Sequence, residues 1–110
     1  MPVLRPRRAF IAAVNERIAW LSENRPEEQL DNFLAGLRWV RERIEQFPQG
    51  GPIVRQDARH ILRMRLFPNP LPYLVYYGHA KVEPIREIYL VRLYASGQRR
   101  PHFSVSEWPW

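Results

Sequence analysis

The stretch Phe47-Pro48-Gln49-Gly50-Gly51-Pro52 divides the chain into two halves with different hydrophobic periods. Two prolines and two glycines within six residues stop one element and allow a turn before the next. Before this stretch the apolar residues recur every three or four positions, and after it every second position.

Working back toward the N-terminus, residues 26–47 repeat Leu30, Phe33, Leu37, Val40, Ile44 and Phe47 on one helical face. Glu27, Glu28 and Asp31 lie near the start of this helix and Arg41 and Arg43 near its end, matching the helix dipole. Residues 8–23 carry a second such face in Phe10, Val14, Ile18 and Leu21, widened by Ile11 and Trp20. Asn24 is placed to cap the next helix, and Pro26 falls in its first turn, where a missing N–H costs nothing. The link is so short that the two helices must form an antiparallel hairpin.

On the C-terminal side, residues 60–67 put Leu62, Met64 and Leu66 on one face and Ile61, Arg63, Arg65 and Phe67 on the other. Residues 73–77 form a compact β-rich run. Residues 78–84 read as a loop, with His79 a solvated side chain. Residues 86–94 read as the strongest strand, with Tyr89, Val91 and Leu93 on one face and Ile88, Leu90, Arg92 and Tyr94 on the other. Short connections make these three strands antiparallel. Residues 1–5 add a possible edge strand. The fold class expected is α+β: an antiparallel helical hairpin packed on a three- to four-stranded antiparallel sheet, in the order (β)ααβββ. Residues 1–101 make one domain. Residues 102–110 form an aromatic tail in which Phe103, Trp108 and Trp110 either close over the sheet or dock on a partner.

Composition narrows the function classes. The 110 residues contain no cysteine, which excludes disulfides, thiolate metal sites and cysteine nucleophiles. No apolar run approaches the ~18 residues of a membrane span, and the first ten residues lack the apolar core of a signal peptide. The expectation is a cytoplasmic chain with no membrane role and no metal or cofactor. The net charge is +6, and Lys81 is the only lysine among 17 basic residues. Arginine makes planar, bidentate contacts with phosphate or carboxylate, so either an anionic partner or a merely solvated surface accounts for this bias.

The pieces Glu45-Gln46-Phe47-Pro48-Gln49-Gly50-Gly51-Pro52, Arg59-His60-Ile61-Leu62-Arg63, Pro72-Tyr73-Leu74-Val75-Tyr76-Tyr77 and Ile88-Tyr89-Leu90-Val91-Arg92-Leu93-Tyr94 follow one another in that order, with Gly97-Gln98-Arg99-Arg100-Pro101 behind them. Over residues 5–101 this order resembles the RelE/ParE superfamily of bacterial type II toxins. The chain departs from the family's His-Gly-Arg-Arg-like ending: Ala95-Ser96-Gly97-Gln98-Arg99-Arg100 keeps the glycine and the arginines but has no histidine. The loop at 78–84 is also longer than the usual tight turn. The resemblance implies one of two activities. ParE-like members poison DNA gyrase, and RelE-like members cleave mRNA on the ribosome. The long hairpin and the missing histidine look more like ParE. The resemblance also implies a cognate antitoxin and a toxin–antitoxin hetero-oligomer.

Metal-free RNA cleavage needs a base for the 2′-OH, stabilisation of the phosphorane and an acid for the leaving oxygen. The candidates for such a nuclease are Arg63, Arg65, Arg99 and Arg100 as a phosphate clamp, with Tyr94 and His102 for proton transfer. Arg63, Arg65, Arg92 and Tyr94 converge on one concave patch if the last strand is central. His60 reads as a core or partner-facing residue, and Glu83 and Glu87 as surface partners of arginines. No pair forms a recognisable acid–base couple, which favours a binding poison over an enzyme. Candidate partner-binding residues are Trp20, Trp39, Arg63, Arg65, Arg92, Trp108 and Trp110, with Phe10 beside Trp20 and Trp39 in a groove along the hairpin.

Overall fold

A computed structural model describes residues 2–95. Its elements are β1 (Val3–Pro6), α1 (Arg8–Asn24), α2 (Glu27–Gln46), β2 (Ile53–Gln56), β3 (His60–Leu66), β4 (Tyr73–Ala80) and β5 (Glu87–Ala95). The fold is α+β, with the helical hairpin packed on one face of a sheet ordered β1-β5-β4-β3-β2.

The sheet is larger than expected and mixed. β2, β3, β4 and β5 form an antiparallel meander, while β1 pairs parallel with β5. A parallel pair needs a long crossover, and here everything between β1 and β5 supplies it. β2 was not legible because Ile-Val-Arg-Gln is too short to show a period. Arg5 Nε donates to Glu87 Oε1 at 2.8 Å across the β1–β5 pair. A hydrogen bond from Tyr89 and this contact with Arg5 hold the Glu87 carboxyl below its usual range. Both partners of the ion pair are solvent-exposed, so it marks the register more than it stabilises.

A single residue, Arg7, separates β1 from α1, and its N–H donates to the Leu90 carbonyl. Phe10 and Leu21 of α1 are buried, and Val14 and Ile18 pack beside them. Ile11 and Trp20 do not join that face; both are exposed. Asn24 does not cap α2. Its amide donates to the Trp20 carbonyl and closes α1, while extended backbone at Arg25 and Pro26 leads into α2. Glu27 and Glu28 in the first turn and Arg43 in the last satisfy the α2 dipole.

Phe33, Val40 and Ile44 of α2 are buried against the sheet, together with Val75, Tyr77, Ile88, Leu90 and Leu93. Phe33 stacks on Phe67 at 5.8 Å between centroids and meets Tyr73 edge-on at 5.0 Å. A Cβ at Gly36 would lie 2.5 Å from Leu71 and 2.9 Å from Phe67, so only glycine lets α2 approach the β3–β4 connection this closely. Phe47, the last member of the predicted stripe, is 53% exposed because the helix has ended.

The alternation expected for β5 breaks in its middle. A bulge sets Tyr76 opposite Arg92 but Tyr77 opposite Leu90, leaving Val91 unpaired. Ile88, Leu90 and Leu93 therefore share the helix-facing side, while Tyr89, Val91 and Tyr94 belong to the other. β4 continues to Ala80, so Gly78 and His79 are strand residues. No helix among the described residues is long and apolar enough to cross a membrane.

Candidate functional site

The connection from α2 to β2 has no regular structure, yet its backbone is anchored by three side chains. Arg63 Nη1 donates to the carbonyls of Gly51 at 2.8 Å and Gln49 at 3.2 Å. The Tyr77 hydroxyl accepts from the Gly51 N–H at 3.1 Å and donates to the Pro48 carbonyl at 2.8 Å. Arg65 Nη2 donates to the Phe47 carbonyl at 3.4 Å. Buried backbone groups must be paired, and a connection with two prolines cannot pair them by a ladder. Glycine is required at Gly51, where a Cβ would strike the Met64 backbone carbonyl and the Tyr77 hydroxyl; at Gly50 a Cβ would meet the movable tip of Arg65. Burial pushes the Tyr77 phenol above its usual pKa, which keeps the proton it donates.

Arg63 is further held by His79. Arg63 Nε donates to His79 Nε2 at 3.0 Å, so His79 carries its proton on Nδ1, which donates to the Ala80 carbonyl at 2.9 Å. His79 is 2% exposed, a buried neutral imidazole in a strand rather than a solvated loop residue. Burial pushes its pKa below the ordinary histidine value; the Ala80 carbonyl opposes that shift and the Arg63 charge adds to it. The unfolded chain takes up a proton near pH ~6.5 that the folded chain resists. Stability is therefore complete above that pH and falls as pH drops below it, because the unfolded state then binds more protons. We expect the thermal midpoint to fall between about pH 7 and pH 5, and His79→Gln to flatten that dependence. An unchanged slope in the variant would place the titration elsewhere.

This geometry redistributes the candidate residues. Arg63 and Arg65 stand opposite Tyr77 and Val75, on the helix-facing side of the sheet. Arg92 stands opposite Tyr76 and Tyr94 opposite Leu74, on the far side. The sheet separates the two sets, so they do not form one patch; the central strand is β4, not β5. The Nε and one terminal nitrogen of Arg63 are engaged by its own chain. His60 lies 3.8 Å from Asp57 at the start of β3, and Glu83 accepts from Gln49 rather than from an arginine. No group of three metal-ligating side chains comes together among the described residues. Arg99, Arg100, His102, Trp108 and Trp110 lie outside the described residues.

Two exposed aromatic surfaces remain on the helical side. Trp20 is 40% exposed, with the guanidinium groups of Arg17 and Arg25 at 5.2 and 4.8 Å from its ring. Arg17 also lies over Tyr73, and Trp20, Tyr73, Ala13 and Leu93 line a cavity of about 380 Å³. Trp39 is 38% exposed, has Arg43 at 5.2 Å, and borders a separate groove floored by Gly36, Pro68, Pro70 and Leu71. The two tryptophans thus open two surfaces rather than one, and Phe10 lines neither, being buried. The signal for the arginine partners was present in the sequence: Arg17 stands three residues before Trp20, and Arg43 four after Trp39. An indole flanked by guanidinium groups favours a ligand that combines apolar side chains with carboxylates.

Among known proteins, no family model matches the chain, and no curated protein matches it.

Proposed function

We propose that this chain is the toxin of a type II toxin–antitoxin pair, ParE-like in action, which stops growth by binding DNA gyrase and is neutralised by a cognate antitoxin. The observation that carries this reading is the arrangement β-α-α followed by an antiparallel meander, with the helical hairpin fastened to one sheet face through the Phe47–Pro52 connection. The resemblance implies two helices followed by three strands, and the chain has that order with one further strand, β2, ahead of the three. Binding is favoured over RNA cleavage because the arginines of β3 and β5 lie on opposite sheet faces and Arg63 is engaged by its own backbone. The Trp20 and Trp39 surfaces suit an acidic, amphipathic antitoxin segment that folds on contact.

The test is induction of the chain alone in bacteria, followed by viable counts, trapping of gyrase–DNA cleavage complexes and mapping of transcript ends. The expected outcome is loss of viability with accumulated cleavage complexes and intact transcripts. Transcript cuts within codons, without cleavage complexes, would assign the chain to the ribosome-dependent mRNA endonucleases instead. Undiminished growth would remove the toxin reading altogether.

A further inference from the structure

Two of the links that hold the Phe47–Pro52 connection run through groups that respond to the charge of one imidazole. Arg63 holds the Gly51 and Gln49 carbonyls through Nη1, and its Nε donates to His79 Nε2 at 3.0 Å. The Gln49 side chain donates to Glu83 Oε1 at 2.6 Å. The other links run from the Tyr77 hydroxyl and Arg65 Nη2 to backbone groups. The charged groups that face His79 are Arg63 from β3 and Glu83 from the β4–β5 connection. Tyr77, two residues before it on β4, presents a phenol that burial keeps protonated, and the α2–β2 connection contributes the neutral Gln49 amide.

We propose that protonation of His79 releases the Phe47–Pro52 connection while the sheet stays folded, a pH-operated latch on the seam between the helical hairpin and the sheet. Nε2 can accept from Arg63 only while the ring is neutral. A second proton turns Nε2 into a donor aimed at a donor and sets an imidazolium beside a guanidinium 3.0 Å away. The ring is 2% exposed, so water does not screen the two like charges. Arg63 is the partner that moves. His79 is tied to Ala80 within β4, whereas Arg63 reaches the ring at the end of a long side chain. The guanidinium is rigid and planar, so Nη1 leaves the Gly51 and Gln49 carbonyls when Nε leaves the ring. The same positive charge draws the Glu83 carboxylate away from Gln49. One proton thus withdraws both links. The sheet does not depend on them, because β3, β4 and β5 pair through their own backbones from Leu66 and Leu74 to Ala95. In the open form water reaches the ring and its ordinary proton affinity returns. The ratio of open to closed then rises by up to about tenfold from pH ~7.5 to ~5.5.

The experiment is amide hydrogen exchange on the full chain at about pH 7.5 and 5.5, corrected for the intrinsic rate at each pH, with and without about 1 M urea. The reporters are the Gly51 N–H, bonded to the Tyr77 hydroxyl, and the Met64 N–H, bonded to the Pro52 carbonyl. Their protection should fall about tenfold at the lower pH, and the urea should leave it unchanged, because a local opening exposes little surface. Amides of the β4–β5 ladder, which open only with the whole domain, should exchange faster in the urea. His79→Gln offers Arg63 Nε an acceptor that does not titrate, and should remove the pH response of both reporters. Reporters that accelerate in urea as steeply as the β4–β5 amides would overturn the proposal, since the connection would then open only on global unfolding. Protection that does not change with pH, or that falls equally in His79→Gln, would overturn it as well. If the variant does not fold, the urea comparison on the unaltered chain decides alone.

Discussion

Phe33→Ala is expected to remove about 3–5 kcal/mol of folding stability, the usual cost of deleting a buried aromatic ring. Phe33 is 1% exposed and sits where α2 crosses the β3–β4 connection, with Phe67 and Tyr73 on two sides of its ring. Those two rings also pack on each other at 5.3 Å. Neither can move into the space without losing its remaining partner, so the cavity will not collapse. Gly36, one turn further along α2, is already in close approach to Phe67 and Leu71, which blocks a compensating shift of the helix. A domain of this size has a total stability of about 5–15 kcal/mol, so the variant should lie near its unfolding threshold. Phe47→Ala removes the same side chain from the same predicted stripe and should change stability by about 0.5 kcal/mol or less, since Phe47 is mostly solvated. Urea unfolding of both variants, compared at constant slope, measures the difference. Equal losses in the two would show that the hairpin is not seated as described.

The contrast between Phe33 and Phe47 shows what sequence can and cannot deliver. Periodicity locates a face, and so both helices were legible to within a residue or two at each end. It does not say where along the face the partner surface stops. At Phe47 the helix has already ended, and the residue leaves the stripe with it. The three long strands were legible for the same reason as the helices. The bulge at Val91 was not, because one unpaired residue leaves no trace in composition while inverting the side on which the preceding residues point. His79 was misread because Gly78 resembles a turn residue, whereas in the sheet it pairs with Leu62 and carries the strand on to Ala80. The partner surfaces were half legible. Trp20 and Trp39 stood off the core stripes, and their flanking arginines follow from helical spacing alone. What sheet face Arg63 and Arg92 occupy required the register of three strands, which no local pattern encodes.

Arg63→Ala is expected to lower stability by about 3 kcal/mol and, on the toxin reading proposed above, to weaken growth inhibition for that reason rather than through loss of a functional contact. Truncation leaves the Gly51 and Gln49 carbonyls and His79 Nε2 without their donor. The Gly51 carbonyl and His79 Nε2 are partly buried, and each acceptor so stranded costs about 1–3 kcal/mol, less than additively when the groups are close, whereas the exposed Gln49 carbonyl turns to water. The connection they belong to is what fastens α2 to the sheet, so the hairpin loosens with it. Arg63→Lys should not rescue. One ammonium group cannot place separate donors on an imidazole and on two carbonyls, as the rigid guanidinium fork does. In a growth assay alone, loss of activity in Arg63→Ala would mimic the loss of a phosphate-binding catalytic arginine. The two causes separate when the unfolding midpoint and the growth phenotype are read on the same variant. A structural arginine predicts that both fall together, and that lower temperature, which restores the folded population, restores growth inhibition. A variant with an unchanged midpoint and no toxicity would place the Arg63 guanidinium on a ligand, and would move the balance from a binding poison toward an enzyme.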